Sequence, residues 1–229
     1  MTSRRSFIKK SAVASALALS GIPKIAEAFG EEKFSSGEEK KPVVISTWSH
    51  GLAANAAAWK ILSAKGPALD AVEQGVMVCE DDFTNLSVGL GGLPDRDGCV
   101  TLDASIMDEK GRCGAVAFLE RIKHPICVAR MVMEKTQHVL MVGSGAQKFA
   151  LDNGFKLEPK KLSVEAEKKY KEWLKTSQYK PVVNIENHDT IGMIAIDANG
   201  NLSGSCTTDR KSTRLNSSHI QKSRMPSSA

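Results

Sequence analysis

Apolar positions along residues 41–208 change between a period of two and a period of about 3.6, which predicts strands and helices in alternation. Alternating or continuous apolar runs predict strands at residues 42–47, 99–107, 113–119, 138–142, 191–196 and 202–208. This order of elements, with neighbouring strands joined by short turns, indicates a mixed α and β protein.

Apolar residues at helical spacing predict the helices between these strands. The first two helices follow residue 50 and each has an apolar stripe that can lie on a sheet, formed by Leu52, Ala56, Trp59 and Leu62 and then by Leu69, Val72, Val76 and Cys79. Shorter helices are predicted at residues 125–133 and 145–152. A charged helix over 163–177 is predicted to place Tyr170, Trp173 and Leu174 inward, and Trp59 and Trp173 are interpreted as packing residues.

The last two predicted strands form a hairpin. Both faces of residues 191–196 are apolar or small, which is typical of a strand covered on both sides. Asn199-Gly200 is a signal for a two-residue turn, and that turn would put Thr208 opposite Ile191. A second hydroxyl group is therefore expected beside Thr190.

Thr190 is the candidate nucleophile. A threonine at a strand start is usually structural, because its branched side chain suits a strand. Cleavage of the Asp189–Thr190 peptide bond would free an α-amine with a pKa near ~8, which could take the proton of the same residue's hydroxyl group. One residue would then supply both the nucleophile and the base.

Charge does not predict a nucleic-acid or membrane partner. The formal charge of +5 comes from the two ends, since residues 1–28 carry five Lys/Arg and one Glu, and residues 209–229 carry five Lys/Arg and one Asp. Residues 29–208 hold 21 basic and 24 acidic side chains. The whole chain is 41% hydrophobic, and this content together with a slightly acidic centre is typical of a soluble globular protein.

Residues 1–28 are predicted to be a twin-arginine export signal. Arg4-Arg5 precedes a mildly apolar run and an Ala26-Glu27-Ala28 cleavage site. A cationic surface helix is the alternative, and the cleavage site disfavours it. The apolar run is shorter than the ~20 residues that span a bilayer. A periplasmic location follows, and residues 29–40 are interpreted as a flexible linker.

Cysteine and histidine residues do not form a recognisable metal or thiol site. The five cysteines are well separated and mostly lie in apolar surroundings, which favours buried free thiols, although a bridge of Cys99 or Cys113 stays open. His50, His124 and His138 have no visible partners, so satisfied or solvated histidines are the default. No metal and no cofactor are expected.

The glycine-rich segment at residues 86–94 could suggest a phosphate-binding loop. It lacks the Gly-Lys-Ser/Thr ending and the strand–loop–helix context of such loops. A close-packed turn is the preferred interpretation.

Residues 184–193, together with Cys206-Thr207-Thr208 and Thr47-Trp48, closely resemble the glycosylasparaginases, which are N-terminal nucleophile hydrolases. The resemblance covers about residues 41–208. It implies an α+β fold with four layers, αββα, incomplete in this chain. It also implies that Thr190 is the catalytic nucleophile, that His188, Asp189 and Thr208 assist self-cleavage, and that Trp48 lines the substrate site. Without the resemblance, a tryptophan at the carboxyl end of a strand would be assigned to the core, because aromatic side chains bury large areas.

The resemblance also implies the subunits and the substrate. Residues 41–189 would form the α-subunit and residues 190–208 would begin the β-subunit, with a dimer of αβ units expected. The substrate would be the β-amide of N4-(N-acetylglucosaminyl)asparagine. Related asparaginases and isoaspartyl peptidases usually have glycine before the nucleophile, so Asp189 favours the first branch. A plain asparaginase or isoaspartyl peptidase is the alternative.

Residues 209–229 are predicted to be a non-native tail. They contain six serines and five basic residues without an apolar period, and they depart from the Thr-Ser-Gly continuation of the resembled family. In that family the residues that hold the substrate's α-carboxylate and α-amine lie beyond the position of Thr208. An inactive, truncated fragment is therefore the alternative from another class.

Overall fold

The computed structural model describes residues 41–176 and 190–209, which belong to one compact unit. The predicted export signal, the predicted linker and the stretch 177–189 lie outside the described residues. The helices are α1 (Gly51–Ser63), α2 (Ala68–Asp81), α3 (Pro125–Lys135), α4 (Gly143–Asp152) and α5 (Val164–Thr176), with a 3-10 turn at Gly89–Gly91. The strands are β1 (Val43–Ser46), β2 (Thr101–Met107), β3 (Cys113–Glu120), β4 (Leu140–Val142), β5 (Ile191–Ile196) and β6 (Leu202–Thr208).

The strands form one six-stranded sheet in the order β1-β5-β6-β2-β3-β4. All neighbouring pairs are antiparallel except β3 and β4, which are parallel. The predicted strands therefore all occur, with the ends of several shortened by one or two residues. The two strands of the C-terminal hairpin lie inside the sheet rather than at its edge.

Helices cover one face of this sheet. α2 contacts β5 and β6, and α3 contacts β2 and β3. Alternate strand residues point to these helices and form the core, among them Ile106, Val116, Ile191, Met193 and Ala195. The described residues thus provide one helical layer and one sheet, which confirms the predicted α+β class.

The opposite face of the sheet is open. Ile45, Met107 and Ile194 are 59%, 45% and 49% exposed, because no described helix or strand covers them. A groove of about 580 Å³ lies on this face, and its lining includes Gly192 and Gly204. β5 was predicted to be covered on both sides, and the described residues cover it on one side.

The predicted register of the β5–β6 hairpin is wrong by one residue. Ile191 pairs with Thr207, not with Thr208. The turn is one residue longer than expected, since the N–H of Asp197 donates to the carbonyl of Asn201 and Gly200 takes a positive φ of 86°. This is the three-residue loop that an Asn-Gly pair also allows. Extending the observed register by one residue puts Thr208 directly opposite Thr190.

The predicted stripe of α1 is wrong at Leu52, Ala56 and Trp59 and right at Leu62. Leu52 and Trp59 are 75% and 47% exposed, whereas Ala54, Ala58 and Leu62 are buried. α1 lies so close to α2 that a Cβ added at Gly75 would come within 3.1 Å of the Ala54 carbonyl oxygen. Small side chains pack where the two helices are closest, and Leu52 and Trp59 lie on the outer side of α1.

α5 follows the prediction except at one position. Leu174 is 46% exposed, so its predicted inward position is wrong. Tyr170 stacks on Trp173 with ring centroids 6.3 Å apart, and the Tyr170 hydroxyl donates to the carbonyl of Arg96 at 2.9 Å. The aromatic pair thereby ties α5 to the loop before β2.

All five cysteines fall within the described residues and are free thiols, so the open question of a Cys99 or Cys113 bridge is answered. Only Cys79 is fully buried, and the other four are partly exposed. Among residues 41–176 and 190–209, no helix is both long and apolar enough to cross a membrane.

Candidate active site

Thr190 lies at the end of the sheet where β5 begins. The antiparallel neighbours β1 and β6 both finish at this end, so the chain segments after Ser46 and Thr207 meet the residue before Ile191. Thr190 is half-buried there. The sheet order therefore brings together residues that are distant in sequence.

Two side chains from the segment after β1 hold the carbonyl oxygen of Thr190. The Thr47 hydroxyl donates to it at 3.2 Å, and the indole Nε1 of Trp48 donates at 3.1 Å. The same Thr47 hydroxyl accepts a hydrogen bond from the N–H of Gly192 at 3.0 Å. Thr47 therefore fixes the backbone on both sides of Ile191.

Trp48 is 50% exposed, so it is not the core residue that its position at the end of a strand would favour. Its backbone has a φ of 64°, in the left-handed region that non-glycine residues seldom adopt. Strained backbone of this kind clusters at functional sites. The strain turns the chain sharply after β1 and brings the indole to the Thr190 carbonyl.

Thr208 is on the open face of the sheet, and the β5–β6 register, continued by one residue, puts it opposite Thr190. It pairs with Asp103 of β2, and its hydroxyl donates to the carbonyl of Ser87 at 3.4 Å, near the upper limit for a hydrogen bond. The predicted second hydroxyl is thus present at this strand end, through a different register from the one expected.

The glycine-rich segment forms the predicted close-packed turn against the end of β6. A Cβ added at Gly92 would collide with the side chain of Asp209. The Asp209 carboxylate accepts a hydrogen bond from the N–H of Leu93 at 2.9 Å, and the Asp209 N–H donates to Ser87 at 3.1 Å. Asp209, the first residue of the predicted tail, is therefore part of this packing, whereas residues 210–229 lie outside the described residues.

His188 and Asp189, which were assigned to self-cleavage, also lie outside the described residues. The structure consequently brings together Thr190, Thr208 and Trp48 of the predicted site.

Sequence reasoning missed Glu80, a fully buried carboxyl group behind this site. It accepts hydrogen bonds from the Thr207 hydroxyl at 2.7 Å and from the N–H of Ile126 at 3.2 Å, and it contacts Nδ1 of His124 at 3.3 Å. Burial raises the pKa of Glu80, although its hydrogen bonds with His124, Thr207 and Ile126 act in the opposite direction. The available signal was spacing, since Glu80 lies four residues after Val76 in the predicted stripe.

His124 is a satisfied histidine, which agrees with the default expectation, and its partners are acidic residues at the end of α2. Besides Glu80, it contacts the Asp81 carboxylate through Nε2 at 3.5 Å. Within the described residues, no group of three or more His, Cys, Asp or Glu side chains could hold a metal ion. Burial raises the pKa of the Cys206 thiol, which lines the open groove, and this keeps it in the poorly nucleophilic thiol form.

Comparison with known proteins identifies the family. The sequence profile of the family described as Asparaginase (Asparaginase_2) matches residues 35–215. The chain therefore belongs to the asparaginase family of N-terminal nucleophile hydrolases, in the glycosylasparaginase group.

Three relatives define the similarity. An N(4)-(beta-N-acetylglucosaminyl)-L-asparaginase from Elizabethkingia miricola is 60% identical over 209 residues, covering 90% of this chain and 59% of the relative. A protein of the same name from Mus musculus is 38% identical over 206 residues, covering 76% of this chain and 59% of the relative. An isoaspartyl peptidase/L-asparaginase from Rattus norvegicus is 40% identical over 153 residues, covering 66% of this chain and 46% of the relative. The chain thus spans 59% of the length of the first two relatives.

Proposed function

We propose that this protein is a self-cleaving amidohydrolase that splits the β-amide bond of N4-(N-acetylglucosaminyl)asparagine. The observation that carries the proposal is the position of Thr190. It lies half-buried at the start of a strand, with its carbonyl held by Thr47 and Trp48 and with Thr208 opposite. A nucleophile needs such a fixed backbone if its hydroxyl group is to meet a substrate carbonyl in a reactive geometry.

Self-cleavage converts Thr190 into the active nucleophile. The Thr190 hydroxyl oxygen attacks the carbonyl carbon of Asp189, an ester bond forms, and the Asp189–Thr190 peptide bond breaks as its nitrogen takes up a proton. Water then hydrolyses the ester, leaving a free carboxylate on Asp189 and a free α-amine on Thr190. His188, Asp189 and Thr208 assist this step in the proposal.

The free α-amine then serves as the base for substrate hydrolysis. It takes the proton of the Thr190 hydroxyl as the oxygen attacks the side-chain amide carbon of the substrate. A β-aspartyl ester forms on Thr190, and the glycosylamine leaves with a proton. Water hydrolyses the ester and releases aspartate, while Trp48 lines the side of the substrate site.

The names of the relatives support this substrate. The proteins from Elizabethkingia miricola and Mus musculus are named as N(4)-(beta-N-acetylglucosaminyl)-L-asparaginases. The Rattus norvegicus relative named as an isoaspartyl peptidase/L-asparaginase supports a second candidate, hydrolysis of asparagine or β-aspartyl peptides. Asp189 before the nucleophile, where that second branch usually has glycine, favours the first candidate.

The proposal extends to location and assembly. Residues 1–28 direct the protein to the periplasm as a twin-arginine signal, and residues 29–40 tether the signal to the enzyme. Residues 41–189 form the α-subunit and residue 190 begins the β-subunit, with a dimer of αβ units as the assembled form. The cysteines are left reduced and no cofactor takes part. In the fragment alternative, the 229-residue chain neither cleaves itself nor turns over substrate.

Turnover of three substrates tests the proposed activity. The full-length protein, expressed from its genomic reading frame, should hydrolyse N4-(N-acetylglucosaminyl)asparagine with a kcat/KM at least about 100-fold above those for asparagine and a β-aspartyl dipeptide, because a site shaped for the sugar gains differential binding. Thr190→Ala should hydrolyse none of the three. Preferential turnover of asparagine or the dipeptide would establish the second candidate instead.

A further inference from the structure

A buried carboxyl group lies behind the candidate site, on the helical side of the sheet. Glu80 is 0% exposed and lies in the last turn of α2. A carboxylate is unfavourable near a helix C-terminus, and burial of a charge is costly unless partners compensate it. The position of Glu80 therefore depends on the groups around it.

Those groups belong to β6 and to the start of α3. Oε1 of Glu80 accepts hydrogen bonds from the Thr207 hydroxyl in β6 and from the N–H of Ile126 at the start of α3. Oε2 faces Nδ1 of His124, which precedes α3. The N–H groups of a first helical turn lack partners within the helix, so the carboxyl group also caps α3. Glu80 thus joins α2, α3 and β6 at one point.

Thr207 connects this point to the active site. It pairs with Ile191 of β5 on one side and with Ala104 of β2 on the other. Successive side chains of a strand point to opposite faces, so Thr207 points to the helices while Thr208 points to the open face. Fixing the Thr207 side chain therefore fixes the backbone that carries Thr208 opposite Thr190.

We infer that Glu80 is a positioning residue, which holds the end of β6 through Thr207 so that Thr190 and Thr208 keep the geometry needed for cleavage and hydrolysis. This inference rests on the proposed function. It adds a role for a carboxyl group that lies behind the reacting residues and touches neither them nor the substrate.

Removal of the Thr207 hydroxyl tests the inference in the full-length protein. Thr207→Val deletes the donor to Glu80 at nearly constant volume, whereas Thr207→Ser keeps it. Displacement of reacting groups by a fraction of an ångström to an ångström costs about 10-fold to 100-fold in rate. Thr207→Val should therefore lose about 10-fold or more in self-cleavage rate and in kcat with KM little changed, and Thr207→Ser should stay close to wild type.

Ser205→Ala is the matched control. Ser205 lies on the same strand and the same face as Thr207, is buried, and donates from its hydroxyl to the carbonyl of Val72 at 3.0 Å. Its loss removes a comparable hydrogen bond to α2 away from the strand end. Stability should fall as in Thr207→Val, while both rates stay near wild type.

All rates are normalised to the folded fraction, measured by circular dichroism. A double-mutant cycle adds Glu80→Ala, whose effect should not add to that of Thr207→Val if the two residues act as a pair.

The inference is overturned if folded Thr207→Val cleaves and turns over at wild-type rates, if Ser205→Ala loses as much, or if the two effects add fully. A wild-type protein that never cleaves would instead contradict the proposed function.

Discussion

At the scale of single residues, one hydroxyl group sets the backbone at the proposed nucleophile. Thr47 donates to the carbonyl of Thr190 and accepts from the N–H of Gly192, so it satisfies groups on both sides of Ile191. Trp48 adds a second donor to the same carbonyl from a strained backbone conformation. The local geometry of Thr190 is therefore imposed by residues that lie near the other end of the described chain.

Thr47→Val should destabilise the protein and slow catalysis. The variant keeps the volume but removes two hydrogen bonds of a partly solvated site, which corresponds to a loss of about 1–2 kcal/mol in unfolding free energy. Urea unfolding measures this loss, and kcat should fall while KM changes little. Thr47→Ser retains the hydroxyl and should restore both quantities, so an equal defect in the serine variant would contradict the assigned role.

Residue identities predicted part of this site and missed the rest. The residues around Thr190 and the Thr47-Trp48 pair were enough to assign Trp48 to the site. The position of Trp48 at the end of a strand would otherwise have assigned it to the core. Glu80 was missed because a charged residue at a helix end is normally exposed. Its burial depends on donors from α3 and β6, and sequence spacing does not reveal which elements will meet.

At the scale of elements, the β5–β6 hairpin was predicted correctly but its register was not. An Asn-Gly pair suits both a two-residue and a three-residue loop, and the two differ by one position in pairing. Asp197 decides between them, since Oδ1 of its buried carboxylate accepts from the N–H groups of Asn199 and Asn201. That change of one residue determines which threonine faces Thr190.

Asp197→Ala should cost about 1–3 kcal/mol of stability at neutral pH, because buried donors lose their acceptor. Burial raises the pKa of Asp197, but hydrogen bonds from Asn201, Ala68 and Asn199 outweigh it and hold the pKa below its usual value of 3.8. A depressed pKa in the folded state gives stability that is present above the unfolded pKa and is lost as pH falls through the folded pKa.

The penalty of Asp197→Ala should therefore shrink below about pH 3.8, as urea unfolding at several pH values would measure. Asp197→Asn is the matched control. Its side-chain carbonyl can still accept hydrogen bonds from Asn199 and Asn201, but the side chain does not ionise and so adds no pH dependence to the stability. A penalty for Asp197→Ala that stays constant down to pH 2 would contradict this account.

The helices show the same limit of sequence reasoning. The period of α1 was recognised, but its inward face was assigned to the largest apolar residues, Leu52 and Trp59, and both are exposed. The close contact at Gly75 of α2 selects alanines instead. Helix existence depends on local pattern, whereas the buried face depends on how closely the neighbouring element approaches.

At the scale of the whole molecule, the described residues form one sheet with helices on one face. The αββα arrangement of the family places a second sheet over the other face, where Ile45, Met107 and Ile194 are exposed. Periodicity alone predicted mixed α and β structure, and the number of layers came from the family resemblance. The apolar or small residues on both faces of β5 indicated a packing layer on each side of the sheet. Among the described residues, only the helical layer on one side is present.

We propose that the chain becomes active by freeing the α-amine of Thr190. The most direct measurement is intact mass together with N-terminal labelling of the purified, active full-length protein. We expect two polypeptides, the second beginning Thr190-Ile191, with Thr190→Ala remaining as one uncut chain and Thr190→Ser cleaving more slowly. Full activity in a protein whose Asp189–Thr190 bond is intact would contradict the account.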